Sequence, residues 1–222
     1  MTRPRRATPS LRPPMAAPGM RIGLLGGTFD PPHDGHAQIS RTALRRLQLD
    51  RVWWLVTPGN PLKSAGAHAA FERRLDLARA FACHPRIDVT GFEAARPDAF
   101  TVNTLGFLRR RFPATRFVWL MGADNLAGFH RWRDWRRILR LAPVAVFDRP
   151  GYRLAAQASQ AASAFARYRR PERAAAGLPA RRPPAWALVS MRLSPLSSTA
   201  LRAAQSPDSA GTPLHRDAPA GY

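Results

Sequence analysis

The chain has 222 residues, of which 45% are hydrophobic, so it is long enough for one domain with a sizeable core. No apolar run approaches the roughly 20 residues needed to cross a bilayer, and a single cysteine, Cys83, excludes an internal disulfide and a multi-cysteine metal site. The formal net charge is +21, a balance that attracts phosphorylated substrates or nucleic acid.

Both ends of the chain differ in composition from its middle. Residues 1–19 are rich in proline and arginine and contain no acidic residue, which predicts a disordered basic extension. Met15 and Met20 are alternative translation starts, and Met20 directly precedes the first apolar run. Residues 206–222 are expected to be a disordered tail, leaving 20–205 as the domain. The sequence shows no apolar secretion signal, so we expect a cytoplasmic protein.

The most informative stretch is IGLLGGTFDPPHDGH, at residues 22–36. An apolar strand is followed by Gly26 and Gly27, which allow a ligand close to the main chain, and then by a helix beginning near His36. The free N–H groups of that helix favour an anion. We therefore predict a triphosphate site with His33 and His36 donating to phosphate oxygens; helix capping and zinc ligation are the alternatives. The P-loop and G-x-G-x-x-G motifs are absent here.

Apolar runs and helical periodicity alternate along the rest of the chain. This alternation predicts an α/β fold, a Rossmann-like doubly wound parallel sheet in a single domain. Further strands are expected at 52–56, 87–93, from 116, from 144 and at 186–191. Helices are expected to about residue 49, at 71–82, 99–112, 129–139 and 194–205, with a helix and a loop within 153–184.

Several polar residues are predicted to follow strand ends, where open α/β sheets bind ligands. Asn60 and Lys63 lie in the loop after the second strand, and Gly122 and Asp124 follow the fourth. An ordinary turn or a solvated side chain is the alternative at each place. The basic runs 109–111 and 167–170 are interpreted as solvated faces because they carry no nucleic-acid-binding motif.

Other candidates lie at predicted helix starts or on one helix. Thr101 precedes an apolar stripe, and capping is its alternative role. Trp132 and Trp135 lie three residues apart, which predicts one helical face; Trp132 could stack on an aromatic ligand, whereas Trp135 is interpreted as packing. The remaining candidates form the segment SSTALR, whose hydroxyls could be helix caps or phosphate ligands: Ser197, Ser198, Thr199 and Arg202.

GGTFDPPHDGH resembles the first signature of the HxGH nucleotidyltransferase superfamily and is similar to the same stretch of the bacterial nicotinate-nucleotide adenylyltransferase family. SSTALR resembles the second signature, ISSTxIR, with leucines in place of isoleucines. GADNL, HRWRDW and FTVNTL resemble the family's GxD, Trp-bearing and YTxxTL segments, with Phe100 in place of tyrosine. The resemblance covers residues 20–205.

The resemblance implies transfer of AMP from ATP to nicotinate mononucleotide, giving deamido-NAD and pyrophosphate, with Mg²⁺ held mainly by the ATP phosphates and no protein metal site. It assigns His33, His36 and Arg202 to catalysis, and Asp30 to shaping the loop. It implies ATP and phosphate contacts at Gly26, Gly27, Thr28, Phe29, Lys63, Ser197, Ser198 and Thr199. It implies acceptor contacts at Asn60, Thr101, Gly122, Asp124 and Trp132.

Alternatives remain in three classes. Within the superfamily the acceptor could be nicotinamide mononucleotide or phosphopantetheine. Outside it the chain could be a basic nucleic-acid-binding protein, or a nucleotide sensor without activity. We expect ATP and nicotinate mononucleotide as partners, no membrane and no specific nucleic acid, and the sequence leaves a homo-oligomer open.

Overall fold

The computed structural model describes residues 12–58, 66–96 and 98–191, with only the main chain described for 66–69. All strand pairs in its sheet are parallel, and the order is β3-β2-β1-β4-β5-β7-β6. The strands are β1 (Arg21–Gly27), β2 (Arg51–Val56), β3 (Ile87–Thr90), β4 (Arg116–Gly122), β5 (Val144–Phe147), β6 (Arg169–Arg170) and β7 (Trp186–Val189).

Helices connect the strands across both faces of the sheet. They are α1 (Asp34–Arg46), α2 (Gly66–Phe81), α3 (Thr101–Arg111), α4 (Ala123–Ala127), α5 (Trp135–Leu141), α6 (Arg153–Gln157) and α7 (Gln160–Ala164). Short 3₁₀ helices cover Phe92–Ala95, Phe129–Arg131, Ala166–Tyr168 and Glu172–Ala180. Strands β2 and β3 lie on one side of β1, and β4 and all later strands lie on its other side. The topological switch point of the sheet is therefore at β1.

Two hydrophobic clusters lie on opposite faces of the sheet. Strand β2 shows the division most clearly, because Trp53 and Leu55 belong to one cluster and Trp54 and Val56 to the other. Successive side chains of a strand point to opposite faces, so a strand buried on both faces must be apolar throughout. The structure thus confirms the predicted Rossmann-like doubly wound parallel sheet.

Two predicted elements end or divide earlier in the structure than expected. The third strand ends at Thr90, three residues early, because the Thr90 hydroxyl accepts from the Phe92 N–H at 3.2 Å and a 3₁₀ turn follows. The expected helix over 129–139 is divided at Asp134, whose φ of 51° is left-handed. Trp132 and Trp135 are therefore not neighbours on one helical face, and that prediction is wrong.

The segment 153–184 contains more structure than its weak periodicity predicts. It forms α6, α7, two 3₁₀ helices and the edge strand β6, which pairs with β7. The run 167–170 is consequently only in part a solvated face: Arg169 and Arg170 form β6, and the Arg169 guanidinium lies 5.4 Å from the centre of the Trp186 ring. The run 109–111 is exposed, as predicted.

Contacts with the domain begin before residue 20. The Gly19 N–H donates to the Ala114 carbonyl at 2.9 Å, the Thr115 hydroxyl donates to the Ala17 carbonyl at 3.3 Å, and Ala16 packs against the core. Residues 16–19 are thus attached to the domain rather than part of the expected extension. Within the described ranges, no helix is long and apolar enough to cross a membrane.

Close packing of the sheet predicts the effect of adding one methyl group at Gly26. A Cβ there would lie 2.7 Å from the indole of Trp119, a rigid and buried ring. We expect Gly26→Ala to lower the free energy of unfolding by about 1–3 kcal/mol, the usual cost of overpacking a core. Urea denaturation measures this change, with Gly128→Ala as the control because a Cβ at Gly128 meets no atom within 4 Å. Equal losses in the two variants would contradict the packing argument.

Candidate active site

The side chains of both histidines accept hydrogen bonds from main-chain N–H groups at the N-terminus of α1. His33 is the N-cap, and its Nδ1 accepts from the Gly35 N–H at 3.0 Å. The His33 N–H in turn donates to Nδ1 of His36 at 3.2 Å, which completes a capping box. The helix begins at Asp34, two residues earlier than expected, because His33 supplies the cap. Capping, the alternative role, is therefore present.

These hydrogen bonds also fix where each imidazole carries its proton. A neutral ring that accepts at Nδ1 holds its proton on Nε2, so both Nε2–H groups are free of the capping interaction. Burial lowers the pKa of His36 to about 3, with further lowering from His33 and Arg149. Burial and Arg149 likewise lower the pKa of His33 to about 4. At neutral pH both rings are thus neutral donors and not cations.

The turn between β1 and α1 is anchored in the core. Phe29 is fully buried, stacks on Trp54 at a centroid distance of 4.9 Å and contacts the His36 ring at 4.5 Å. Its φ of 49° is left-handed, a conformation that a bulky residue keeps only when its surroundings enforce it. The side chain of Phe29 is therefore a packing group, and only its main chain can face a ligand.

The end of β4 brings a carboxylate and a guanidinium to the same place. A Cβ on Gly122 would lie 2.2 Å from Oδ1 of Asp124 and 3.1 Å from Nε of Arg149, so only glycine leaves room for both side chains. Asp124 and Arg149 form an ion pair at 3.7 Å, and the Arg149 side chain is 13% exposed. The two predicted residues, Gly122 and Asp124, thus lie at the carboxyl edge of β4 beside the turn after β1.

Arg149 is the residue of this site that sequence reasoning missed. It follows β5, and its guanidinium reaches α1, where a Cβ on Gly35 would lie 3.2 Å from its Nη1. A positive charge beside the positive end of a helix is unfavourable alone and favourable once an anion binds between them. The sequence feature that could have indicated Arg149 is its position just after a predicted parallel strand, in the segment DRPG.

Among the described residues, two predicted acceptor contacts lie outside the β4 turn, one on α3 and one after α4. Thr101 is the first residue of α3 and is half-buried. Trp132 is half-buried and packs edge-on against Trp119 at 6.2 Å and against Phe129 at 5.1 Å. Trp135 is buried against Phe129 and Phe165, so its interpretation as packing is confirmed.

A buried carboxylic acid supports the first turn of α3. Glu93 is 5% exposed, and its Oε1 accepts a hydrogen bond from the fully buried hydroxyl of Thr104. Burial raises the pKa of Glu93 to about 7, against smaller opposing effects of the Thr104 hydrogen bond and of Arg96. Sequence reasoning did not select Glu93, because it lies in a segment that was expected to be strand.

Six predicted site residues lie outside the described residues: Asn60, Lys63, Ser197, Ser198, Thr199 and Arg202. Their roles stay predictions. The described candidates after β1 and β4 lie at the carboxyl edge of the sheet, beside the topological switch point at β1, where open α/β sheets bind ligands.

Comparison with known proteins decides the family. The cytidylyltransferase-like family model matches residues 24–204. A protein from Methylorubrum extorquens named "Probable nicotinate-nucleotide adenylyltransferase" is 59% identical over 82% of this chain and 99% of its own length. The chain belongs to the nicotinate-nucleotide adenylyltransferase family. Relatives with the same name from Ruegeria pomeroyi and Rhizobium meliloti are 53% and 52% identical, over 86% and 84% of this chain and 89% and 100% of their own lengths.

Solved structures support the fold of this family member. Plasmodium falciparum nicotinic acid mononucleotide adenylyltransferase, complexed with NaAD, superposes with a TM-score of 0.63 at 15% identity over 83% of each chain. The same enzyme complexed with APC gives a TM-score of 0.57 at 14% identity, again over 83% of each chain. At this identity the likeness establishes the architecture alone.

The histidine pair predicts a loss of stability in mild acid. Folding lowers the pKa of each ring from 6.5. Between about pH 6.5 and 4 the unfolded chain therefore binds more protons than the folded chain, and the free energy of unfolding decreases as the pH is lowered. His36→Asn keeps an acceptor for the His33 N–H but cannot titrate in this range. We expect urea denaturation to show a smaller loss for this variant than for the wild type between pH 7 and 4.5. Parallel curves would contradict the neutral assignment.

The buried carboxyl group of Glu93 predicts a free energy of unfolding that decreases as the pH is raised. Its pKa is raised from 4.5 to about 7 on folding, so its contribution is fully present below pH 4.5 and is lost as the pH rises through 7. Glu93→Gln stays neutral and keeps an acceptor for Thr104. We expect the variant to gain stability relative to the wild type between pH 5 and pH 8, measured by urea denaturation at both values. A difference that does not change with pH would contradict the buried-acid assignment.

Proposed function

We propose that this chain transfers AMP from ATP to nicotinate mononucleotide, forming deamido-NAD and pyrophosphate. The single observation that carries the proposal is near full-length identity of 59% to a relative named for this activity. The site is consistent with it, because two neutral imidazoles, a helix N-terminus and the Arg149 guanidinium surround one turn. Such a group of donors suits a polyanion that must be held without being attacked.

The chemistry needs no protein nucleophile. A phosphate oxygen of nicotinate mononucleotide attacks the α-phosphorus of ATP, a new P–O–P linkage forms, and the bond to the β-phosphate breaks to release pyrophosphate. Negative charge grows on the oxygens around the α-phosphorus and on the leaving group. In this proposal the Nε2–H groups of His33 and His36 donate to those oxygens, and Arg149 supplies a fixed positive charge beside them. The acceptor phosphate is already ionised at neutral pH, so neither histidine acts as a base.

Mg²⁺ belongs to the proposal as a cation that enters on ATP. Within the described ranges, no group of three or more histidine, cysteine, aspartate or glutamate side chains could hold a metal ion. We propose that the cation is held mainly by phosphate oxygens and water, which is how Mg²⁺ commonly binds nucleotides. When bound, it would supply neutralisation of the phosphate charge.

The acceptor side of the proposal rests on three described residues. Asp124 lies at the end of β4 and would face the ribose, the first turn of α3 at Thr101 would receive the nicotinate carboxylate, and the half-buried Trp132 ring would stack on the pyridine. The orientation of a carboxylate at a helix N-terminus follows from the dipole and free N–H groups there. A neutral amide gains less from such a site, which favours nicotinate over nicotinamide mononucleotide as the acceptor.

Pyrophosphate release from ATP tests the reaction, with nicotinate mononucleotide, nicotinamide mononucleotide and phosphopantetheine as acceptors. We expect the highest kcat/KM with nicotinate mononucleotide. Absence of turnover with that acceptor would overturn the proposal, and salt-dependent binding of DNA or RNA would then favour the nucleic-acid alternative.

A variant separates the role of His36 in catalysis from its role in capping. His36→Asn keeps the acceptor that caps α1 and removes the Nε2–H donor, so we expect kcat to fall by about 10²–10³, the usual effect of losing one such donor. His84→Asn is the control: its Nδ1 also accepts from a main-chain N–H, that of Arg86 at 3.1 Å, but His84 lies before β3, away from the strand ends that form the site. Unchanged turnover in folded His36→Asn would remove the histidine from the mechanism.

A further inference from the structure

One arginine outside the described signatures holds two loops of the site together. Arg74 lies on α2, and its Nη1 donates to the carbonyls of Thr28 at 2.6 Å and Thr57 at 2.9 Å, while its Nη2 lies 3.3 Å from the carbonyl of Pro58. Thr28 belongs to the turn after β1, and the other two residues follow β2. A single guanidinium thus contacts three main-chain carbonyls from two neighbouring strand ends.

The contact with Thr28 determines the direction of an N–H group. The Thr28 carbonyl and the Phe29 N–H belong to one peptide unit, which is planar, and in its trans form they point in opposite directions. Holding the carbonyl on Arg74 therefore sets where the Phe29 N–H points. The preceding peptide is held in the same way, because the Gly27 carbonyl accepts from the N–H of Thr57 at 2.9 Å and from its hydroxyl at 3.1 Å.

Two successive N–H groups, those of Thr28 and Phe29, are thereby preset by contacts behind the loop. Consecutive main-chain N–H groups that are fixed in advance form an anion-binding concavity. Without such support the left-handed Phe29 backbone would be costly to keep. The guanidinium suits this task, because its planar fork holds N–H donors in a fixed geometry that reaches separate acceptors, whereas an ammonium is a compact point charge. Burial lowers the pKa of Arg74, and Asp30 partly offsets that effect.

We infer that Arg74 is a positioning residue for adenylyl transfer: it fixes the Thr28 peptide and ties the turn after β1 to the loop after β2, so that the N–H groups of Thr28 and Phe29 meet the ATP phosphates. The inference rests on the proposed function, because it takes ATP as the ligand of this turn. Arg74 itself touches no reacting atom, since its donors are directed to main-chain carbonyls.

The adjacent arginine provides a matched control. Arg73 is exposed on the same helix, so Arg73→Gln removes the same charge from the next position. We expect Arg74→Gln to lower kcat/KM for ATP by about 10- to 100-fold, the scale of misplacing a reacting group by about 1 Å. We expect the KM for nicotinate mononucleotide to change by about twofold or less, and Arg73→Gln to match the wild type in both measurements. Arg74→Lys restores one contact and is expected to fall between Arg74→Gln and the wild type.

The assays distinguish a failure of the proposed reaction from a failure of the role inferred for Arg74. A wild-type chain without pyrophosphate release from ATP and nicotinate mononucleotide would overturn the proposed function. An active wild type with folded Arg74→Gln of equal kcat/KM for ATP would overturn the role of Arg74 alone, and so would an equal loss for both substrates. If Arg74→Gln does not fold, Arg74→Lys decides, because wild-type efficiency in that variant would show that the fork across two loops is not needed.

Discussion

The hydrogen bonds that the imidazoles of His33 and His36 accept from main-chain N–H groups are the constraint on which the site depends. They satisfy main-chain N–H groups at the start of α1, and in doing so they use Nδ1 of both rings. What remains for a ligand is one Nε2–H on each ring, held in place by a helix end. The motif spacing follows from this geometry: an N-cap and the residue three positions later are the two partners of a capping box, and the glycine between them leaves space for Arg149.

The electrostatics of this turn favour the binding of an anion. Burial lowers the pKa of both histidines, and the charge of Arg149 adds to the effect. Asp124 provides one opposite charge beside Arg149. A bound triphosphate would add further negative charge next to the helix N-terminus. Catalysis of this kind depends on donors that are set before the substrate arrives, and the structure provides them through caps, tight packing and clamped peptides.

The sequence was sufficient for the architecture and for the residues at strand ends. Buried parallel strands are apolar along their buried length, and β5 and β7 carry that pattern throughout, as do β1, β2 and β4 after a first arginine. Shorter elements depend on tertiary contacts instead. The two-residue β6 forms because β7 offers a free edge, and the break at Asp134 depends on one left-handed residue. Neither leaves a periodic signal in the chain.

The same division applies to the candidate site. Glycines, histidines and Asp124 occur in recognisable segments, so their placement could be predicted. Arg149 and Glu93 act through proximity across the fold, and a basic or acidic residue in an arginine-rich chain gives no local indication of that. Arg74 is a further example, because its neighbour Arg73 is the same residue type with a different environment. Only the structure distinguishes the two.

Phe29 links the core and the loop in a way that affects how the family can change. The ring that ends the glycine turn is also a central element of the cluster under α1, stacked on Trp54, whose indole N–H donates to Ser40, whose hydroxyl donates to the His36 carbonyl. A search for inactive variants would therefore return Trp54 and Ser40 although neither meets a substrate. If turnover depends on the position of this turn, we expect the hydrophobic interior behind it to vary more slowly among relatives than the interior on the other face of the sheet.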